Sequence, residues 1–361
     1  MATESITRRT ALKYASLITL AAQGWYVFPI QSTPAPTTST ESSQVTVDQD
    51  GTIHVPAYAL PSSIYMSEKA KQAYLVTRRE FENSAFWESR LAKAKVVYPA
   101  IVKEKQLGGV RTDIVIPKEG VAQQNRDRVL INLHGGGFMG GAGLLQLLES
   151  IPIAGTAKIK VISIDYRLAP DLASGHKFPA ASEDVATVYK ELLKEYEPRN
   201  IGIYGCSAGG ILTAMSVAWF QKEHLPRPGA IGVFCAADAV LEGDSRYMVG
   251  PLDPLGGSPP KTLPYLAGVD LKAPLVSPTL HPEVLAQFPP TLLITGTRDF
   301  LASGVIYAHT QLVKVGVDTE LHVWEGMWHA FFIDVDIPES KEMYEVTARF
   351  FNTHLGKPHE L

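Results

Sequence analysis

The chain has 361 residues, of which 45% are hydrophobic and 19% charged, and its formal net charge is −4. A near-neutral balance excludes a dedicated nucleic-acid binder, because such proteins carry a basic surface that matches the phosphate backbone. Ordinary hydrophobicity excludes a disordered or collagen-like chain. Two cysteines permit at most one disulfide, so the chain is not a disulfide-dense scaffold. A soluble globular protein with a large core remains.

The first 30 residues resemble an export signal. Arg8, Arg9 and Lys13 precede an uncharged apolar stretch, as in a secretory signal peptide, and the paired arginines resemble a twin-arginine signal. Residues 31–44 are rich in Ser, Thr and Pro, which predicts a flexible linker. We therefore expect a periplasmic or secreted protein with no stable membrane span in its mature form. The alternative is an uncleaved N-terminal membrane anchor.

Apolar side chains at helical spacing predict one or two helices over residues 67–95. There Phe81, Phe86 and Trp87 either pack in the core or line a substrate entrance. Farther along, short β-rich runs alternate with helical patterns, which predicts an α/β fold with a mostly parallel sheet. The predicted strands are Arg128–Leu133, Lys160–Asp165, Ile201–Tyr204, Ala230–Cys235, Thr291–Thr295 and Glu320–Trp324, and the predicted helices between them are Ala180–Glu195, Ala208–Lys222 and Ser303–Val315.

Residues 240–283 interrupt this alternation. They contain eight prolines and no sustained hydrophobic period. A long irregular segment inside a compact domain is usually functional. We expect it to contribute to a cap or to one wall of the binding cleft.

The strongest local motif is the segment Ile201–Gly210, IGIYGCSAGG. A predicted strand leads into Gly205-Cys206-Ser207-Ala208-Gly209, and a predicted helix follows, which is the context of a nucleophile elbow. Glycine is needed at 205 and 209 because a side chain there would collide with neighbouring backbone. The alternative is an ordinary tight turn.

A glycine-rich loop, His134-Gly135-Gly136-Gly137-Phe138, directly follows another predicted strand. Glycines allow the backbone to approach a ligand and to present N–H groups to it. A phosphate-binding loop is disfavoured, because neither Lys-Ser/Thr nor a GxGxxG helix start is present. In chain order this loop precedes the elbow, as a two-part oxyanion hole requires.

A serine nucleophile needs a base and an orienting acid. Asp299 lies just beyond the carboxyl end of a predicted strand, at the edge of the sheet where ligands gather. His329 follows the next strand and combines chain order with a position at a strand end. Ser207, Asp299 and His329 therefore form a coherent candidate triad.

Together these motifs resemble the hormone-sensitive-lipase-like esterases (bacterial family IV) of the α/β-hydrolase superfamily. The resemblance covers residues 97–353 and rests on HGGGF, DYRLAP, HKFPAA, GCSAGG, LVSP, TRDFL and MWHAFF. It implies an eight-stranded, mostly parallel sheet flanked by helices (residues 101–361) and a helical N-terminal cap (residues 45–100).

The same resemblance implies roles for individual residues. Ser207 is then the nucleophile, His329 the base and Asp299 its partner. The backbone N–H groups of Gly136, Gly137 and Ala208 form the oxyanion hole, and His134 supports the loop.

The sequence departs from the family pattern at three places. Cys206 replaces the usual Asp before the nucleophile, residues 171–175 lengthen a loop, and residues 301–304 lack acidic groups that often follow the triad Asp. Cys206 and Cys235 are expected to be two buried free thiols, with a disulfide as the alternative. No His, Cys or Asp cluster has metal-ligand spacing, so neither a metal nor a cofactor is expected.

We therefore predict a serine hydrolase that cleaves short- to medium-chain, uncharged acyl esters through an acyl-enzyme. A lactonase, an amidase or peptidase, or an acyltransferase would need the same triad. A non-catalytic binder on the same fold is the remaining alternative. A small-molecule ester is the expected partner, and the sequence does not indicate an oligomeric state.

Overall fold

The computed structural model describes residues 45–57, 59–173, 175–255 and 263–357. The predicted signal peptide (1–30) and linker (31–44) lie outside the described residues. Both therefore stay predictions.

An eight-stranded sheet forms the centre of the fold, as predicted. Its strand order is β10-β9-β8-β7-β5-β6-β4-β3, and only β4 runs antiparallel to its neighbours, β3 and β6. Two short antiparallel strands, β1 and β2, precede it in the chain. The strands are β1 Thr46–Val47, β2 Ile53–His54, β3 Ala100–Leu107, β4 Val110–Pro117, β5 Val129–Leu133, β6 Lys160–Ile164, β7 Ile201–Cys206, β8 Ala230–Phe234, β9 Thr291–Arg298 and β10 Thr319–Trp328.

Helices cover both faces of the sheet. They are α1 Glu68–Glu80, α2 Ser84–Val97, α3 Leu145–Ala157, α4 Ala180–Leu192, α5 Ala208–Lys222, α6 Asp244–Met248, α7 Pro282–Leu285, α8 Ala302–Lys314 and α9 Pro338–His354. The pattern over residues 67–95 corresponds to two helices, α1 and α2. The side chains of Ser67 and Asn83 cap their N-termini by accepting backbone N–H groups, at 3.0 Å from Ala70 and 3.1 Å from Ala85 respectively.

Alternation along β7 divides the core into two layers. Ile201 and Ile203 pack on the face covered by α4, α5 and α8, whereas Tyr204 and Cys206 pack on the face covered by α3 and α9. All six residues of β7 are buried, as expected for a strand covered by helices on both faces. The residue that follows β7 therefore emerges at the edge of the sheet, between the two layers.

The N-terminal helices lie on the second face. α2 packs against α3, and α1 packs against α9. Ser67 joins the start of α1 to α9, because its backbone N–H and its hydroxyl both donate to the carboxylate of Glu339, at 2.7 and 2.9 Å. This region holds the helical part of the predicted cap (45–100), whose role as a cap stays a prediction.

The described part of residues 240–283 is mostly irregular and contains α6, three short 3₁₀ turns and the first residues of α7. In the ranges of the chain that the structure describes, no helix combines the length and apolar character needed to cross a bilayer.

Candidate active site

Ser207 lies at the sharp turn between β7 and α5. Its backbone angles are φ 58° and ψ −122°, a conformation that is rare outside glycine and that occurs mainly at functional sites. The turn has no room for side chains on either side. A Cβ at Gly209 would lie 1.7 Å from the carbonyl oxygen of Leu133, and one at Gly205 would lie 2.4 Å from that of Gly209. The predicted reason for glycine at both positions is confirmed.

The backbone N–H groups of Ser207 and Ala208 differ in their hydrogen bonding. The N–H of Ser207 donates to the carbonyl oxygen of Phe234 at 2.9 Å and so continues the pairing of β7 with β8. The next N–H, that of Ala208, belongs to the first turn of α5, where no carbonyl of the helix can accept it. The positive end of the helix dipole also lies there. Ala208 is therefore the residue of the elbow whose amide can serve a developing anion.

His329 and Asp299 are in direct contact, with 2.8 Å between Nδ1 of the ring and Oδ1 of the carboxylate. They follow β10 and β9 respectively. Asp299 is fully buried, and it also accepts the Leu301 N–H at 2.9 Å and the Thr295 hydroxyl at 3.0 Å. Because a carboxylate only accepts, the ring proton of His329 is on Nδ1, and Nε2 keeps its lone pair.

Two opposing effects set the pKa of His329. Burial lowers it, but the charge and the hydrogen bond of Asp299, with further contributions from Asp253 and Glu149, outweigh burial. The pKa of His329 is therefore raised above its ordinary value. The ring also stacks on Phe300, with 4.5 Å between the ring centroids, which fixes its plane.

Ser207 and His329 line one cavity, which encloses about 680 Å³, part of it open to solvent. The glycine loop, residues 135–137, forms another part of its wall. The remaining wall is apolar except for Cys206 and Glu149. Its apolar members are Phe81, Trp87, Leu145, Leu255, Phe300, Ala330 and Ile333.

The two predictions for Phe81, which directly follows α1, and for Phe86 and Trp87, which lie in α2, are both partly met. Trp87 is buried and packs edge-on against Phe81 and Phe86. Trp87 and Phe81 nevertheless also line the cavity. Leu255 brings the irregular segment 240–283 to the same wall.

The glycine loop has a backbone shape that other residues rarely adopt. Gly136 has φ 113° and Gly137 has φ 63°, and a Cβ on Gly136 would lie 2.2 Å from the carbonyl oxygen of Gly140. This arrangement brings the backbone of the loop to the cavity wall, close to the elbow: a Cβ on Gly135 would lie 3.5 Å from the Cβ of Ser207.

His134 is buried below this loop. Its Nδ1 lies 2.7 Å from the carbonyl oxygen of Gly135, so Nδ1 is the protonated nitrogen and donates. The ring stacks on Tyr166 at 4.4 Å, and the Tyr166 hydroxyl donates to the backbone oxygen of His134 at 2.6 Å. Burial lowers the pKa of His134, which keeps the ring neutral. These contacts fit a supporting role and give His134 no contact with Ser207.

Two buried carboxyl groups at the site were not predicted from the sequence. Glu149, on α3, lines the cavity, and burial raises its pKa to about 8. Asp253, in the irregular segment, accepts the backbone N–H of His329 at 2.8 Å, and burial raises its pKa to about 7. An acidic residue in the apolar sequence Leu144–Ile153 is a usable signal for Glu149. Nothing in the local sequence marks Asp253.

The two cysteines are free thiols, both buried, and they are hydrogen-bonded to each other. The sulfur of Cys235 also accepts the N–H of Ala330 at 3.3 Å. Burial raises the pKa of Cys235 to about 11 and that of Cys206 well above its ordinary value. Both sulfurs are therefore protonated at neutral pH.

Among the described residues, the fold assembles one group of three potential metal ligands that spacing along the chain does not reveal. Ligand atoms of Cys235, Asp299 and His329 lie within 4.8 Å of one another. A metal needs the thiolate form of cysteine, whereas the raised pKa keeps Cys235 protonated. Asp299 and His329 are already bonded to each other. The chemistry of these groups therefore suits a hydrogen-bonded cluster rather than a metal centre.

A family model described as the alpha/beta hydrolase fold matches residues 130–333, more than half of the chain. The chain therefore belongs to this family. Among solved structures it is similar to esterase E25, with 31% identity and a TM-score of 0.73 over 84% of this chain and 98% of that one. It is also similar to an esterase of the bacterial hormone-sensitive lipase family, with 26% identity and a TM-score of 0.69 over 80% and 99% of the two chains.

The relatives of this chain include proteins named as ester-cleaving hydrolases. The chain is 28% identical to an acetyl-hydrolase of Streptomyces hygroscopicus over 236 residues, which are 64% of this chain and 77% of the relative. It is 26% identical to the carboxylesterase/phospholipase LipF of Mycobacterium tuberculosis over 270 residues, 67% and 69% of the two chains. These similarities confirm the predicted family, fold and class of reaction, ester hydrolysis by a serine-hydrolase-type enzyme.

Proposed function

We propose that this enzyme hydrolyses small, uncharged carboxylic esters through a covalent acyl-enzyme on Ser207. One observation carries the proposal: a single cavity is lined by Ser207, His329 and the glycine loop, and His329 is hydrogen-bonded to the buried Asp299. A nucleophile, a base, an acid that orients the base and backbone donors are the components that acyl transfer requires.

Catalysis begins with proton transfer from Ser207. His329 accepts the hydroxyl proton on Nε2, whose lone pair is free because Nδ1–H is held by Asp299. The serine oxygen attacks the ester carbonyl carbon, and Asp299 stabilises the imidazolium that forms. His329 then gives the proton to the leaving alcohol. A water molecule, deprotonated by the same nitrogen, attacks the acyl-enzyme, and its proton returns to Ser207 as the acid departs.

The negative charge that develops on the carbonyl oxygen needs fixed donors. We assign this role to the N–H groups of Gly136, Gly137 and Ala208. The positive φ angles of the two glycines and the position of Ala208 in the first turn of α5 support the assignment. Each donor of this type typically lowers the barrier by about 3 kcal/mol. His134 holds the loop through the Gly135 carbonyl oxygen.

Substrate preference follows from the cavity wall. Phe81, Trp87, Leu145 and Ile333 offer apolar contacts to an acyl or alkyl chain. An ionised substrate would lose its hydration against this largely apolar wall, which disfavours an anionic substrate. Short- to medium-chain neutral esters suit this surface best.

The test is turnover of 4-nitrophenyl esters of graded acyl length by the intact protein and by Ser207→Ala. We expect the variant to lose at least about 10⁴-fold in kcat. Ser216→Ala is the matched control, because Ser216 is a buried serine of α5, the helix that follows Ser207, and its hydroxyl has no partner among the described residues. A fluorophosphonate should add one label per chain, on Ser207. Undiminished turnover by Ser207→Ala overturns the assignment.

The same assay distinguishes the alternatives. Preferred turnover of lactones or anilides would identify a lactonase or an amidase, and product transfer to an added alcohol would identify an acyltransferase. No turnover on any of these substrates by the intact protein would indicate a binder.

We also propose that the protein is exported. The paired Arg8 and Arg9 before an apolar stretch support this. Cell fractionation of a bacterial host with working twin-arginine transport tests it, with both arginines changed to lysine as the comparison. Recovery of the chain with its N-terminus intact in the cytoplasm contradicts export, and recovery in the membrane fraction favours the anchor.

A further inference from the structure

Glu149 is the starting point, because its carboxyl group lies beneath the glycine loop and inside the cavity wall. Oε1 accepts the backbone N–H of Gly135 at 2.8 Å, and Oε2 accepts the side-chain amide of Asn132 at 3.2 Å. Asn132 is held in turn by the hydroxyl of Ser163, at 2.5 Å. All of these side chains are buried. The side chain of Glu149, which extends from α3, is therefore held by Asn132 of β5, which is itself held by Ser163 of β6.

The loop is consequently held at Gly135, where both the N–H and the carbonyl oxygen are hydrogen-bonded. The N–H of Gly135 is bound by Glu149, and its carbonyl oxygen is bound by Nδ1 of His134. That carbonyl and the N–H of Gly136 belong to the same planar peptide and point in opposite directions. The two contacts on Gly135 therefore determine where the N–H of Gly136 points.

We propose that Glu149 is a positioning residue for the oxyanion loop, which it holds through the N–H of Gly135. The inference rests on the proposed function, since it concerns the donors Gly136 and Gly137. Glu149 acts through the loop, and takes no part in the transfer of the acyl group. Loss of its carboxyl removes one of the two contacts that hold Gly135, and the donors then lose their alignment in the transition state.

The ionisation of Glu149 provides a signature of this role. Burial raises its pKa to about 8, against the lowering effects of Gly135, Asn132 and His329. The other titratable groups that interact with it are Tyr166, Tyr204 and Cys206, on β7 and the loop after β6. The pKa of each is raised well above its ordinary value, so these three remain neutral between pH 6 and 9.

Only Glu149 and His329 of this group therefore change charge across the working range. Ionisation of Glu149 puts a negative charge beside the place where the oxyanion forms. In a buried cavity such a charge opposes a second one. The kcat of the intact enzyme should accordingly fall above a pH of about 8.

Two variants of Glu149 and one control variant test the proposal, with 4-nitrophenyl acetate as the substrate between pH 6 and 9. Glu149→Leu removes the acceptor, and we expect kcat to fall about 10- to 100-fold while KM changes less than about threefold. Glu149→Gln keeps an acceptor for the Gly135 N–H. Asn132 can turn its amide to match, because the Ser163 hydroxyl also lies 3.4 Å from the carbonyl oxygen of Gln146. The kcat of Glu149→Gln at pH 7 should stay within about threefold of that of the intact enzyme, and it should not fall near pH 8.

Glu339→Leu is the matched control. Glu339 is likewise buried and accepts one backbone N–H and one side-chain donor, both from Ser67, but it does not line the cavity. Its loss should lower the melting temperature and leave kcat per folded molecule unchanged. Circular dichroism gives the folded fraction of every variant, and titration with a fluorophosphonate counts the active sites in the variants that retain Ser207.

The measured outcomes distinguish a failure of the role of Glu149 from a failure of the proposed function. An unchanged kcat in Glu149→Leu overturns the positioning role, as does an alkaline fall that persists in Glu149→Gln. If Ser207→Ala keeps its turnover, the proposed function itself fails. If Ser207→Ala is inactive while Glu149→Leu equals the intact enzyme, only the role of Glu149 fails.

Discussion

The carboxylate of Asp253 accepts the backbone N–H of His329, with 2.8 Å between the two atoms. Its other oxygen accepts the N–H of Leu255 at 2.8 Å, so the side chain is held in one orientation. A residue of the irregular segment thus fixes the loop that carries the proposed base. Asp299 orients the ring of His329, and Asp253 orients its backbone.

This contact extends to the N-terminal helices. The hydroxyl of Tyr74 on α1 donates to the carbonyl oxygen of Leu252, and Arg78 donates to that of Pro251 at 3.2 Å. These two hydrogen bonds join α1 to the residues that directly precede Asp253.

Asp253→Ala is expected to lower kcat about tenfold, because the His329 backbone loses its acceptor and the loop is free to shift. Asp253→Asn retains an acceptor oxygen and should stay within about threefold. Steady-state kinetics at pH 8 measure both. Asp238→Ala is the control, since Asp238 is also buried and accepts a nearby backbone N–H, from Val240 at 2.8 Å. Equal losses of kcat in the two alanine variants would contradict a specific role for Asp253.

The acid limb of the pH–rate profile should lie above the ordinary histidine value of 6.5. A base must be neutral to accept a proton, and the pKa of His329 is raised. As the pH falls through that raised pKa, His329 becomes protonated and kcat/KM declines. Removing the charge with Asp299→Asn should lower kcat by about 10⁴-fold. A profile that stays flat down to pH 6 would show that His329 is not the base.

Stability should decrease as the pH rises from about 4 to 8. The pKa values of Asp253 and Glu149, about 7 and about 8, exceed the ordinary values of 3.8 and 4.5. The folded state therefore holds protons that the unfolded chain releases, and the free energy of unfolding falls with pH across this range. Urea denaturation of Asp253→Asn and Glu149→Gln at pH 5 and pH 8 should show a smaller difference than the intact protein. An equal difference in all three would contradict the raised pKa values.

Gly209→Ala should prevent the elbow from forming. The added Cβ would meet backbone of β5, 1.7 Å from the Leu133 carbonyl oxygen, and β5 cannot move away without breaking its pairing with β6 and β7. We expect insoluble protein or a loss of several kcal/mol of stability. Gly304→Ala, in α8, is the comparison, because the nearest atom to its Cβ lies 3.8 Å away. That change should raise stability slightly, since alanine favours a helix by about 1 kcal/mol. Thermal unfolding distinguishes the two.

Leu145→Ala should shift preference towards longer acyl chains. Leu145 lines the cavity at the start of α3 and is only half-buried, so its truncation enlarges the cavity at a modest loss of stability. We expect the ratio of kcat/KM for hexanoate to that for acetate to rise about tenfold, at about 0.8 kcal/mol per accommodated methylene. Leu147→Ala, on the same helix and outside the cavity wall, should leave the ratio unchanged. A ratio that moves in both variants would point to a general loosening of α3.

Sequence patterns predicted the parts of this molecule that are determined locally. Buried parallel strands have continuous apolar runs, and the elbow and the glycine loop need glycine for steric reasons that act over a few residues. The order of His329 and Asp299 in the chain and their positions at strand ends were enough to predict that they meet, because the carboxyl ends of parallel strands share one edge of the sheet.

Features that depend on long-range packing were missed. Helix α3 contains Pro152 and is buried around most of its circumference, so it has little helical hydrophobic period to detect. Strand β3 has the opposite difficulty: it lies at the sheet edge, and six of its eight residues are exposed. Asp253 belongs to a segment with no regular structure, and its significance comes entirely from a partner 76 residues away.

The sulfur beside the proposed nucleophile has a practical consequence. Cys206 and Cys235 are hydrogen-bonded to each other, are buried and hold their protons at neutral pH. Alkylating agents and mild oxidants attack the thiolate of an accessible cysteine. This hydrolase should therefore remain fully active in the presence of iodoacetamide, and its site should work equally well on the reducing and the oxidising side of a cell membrane.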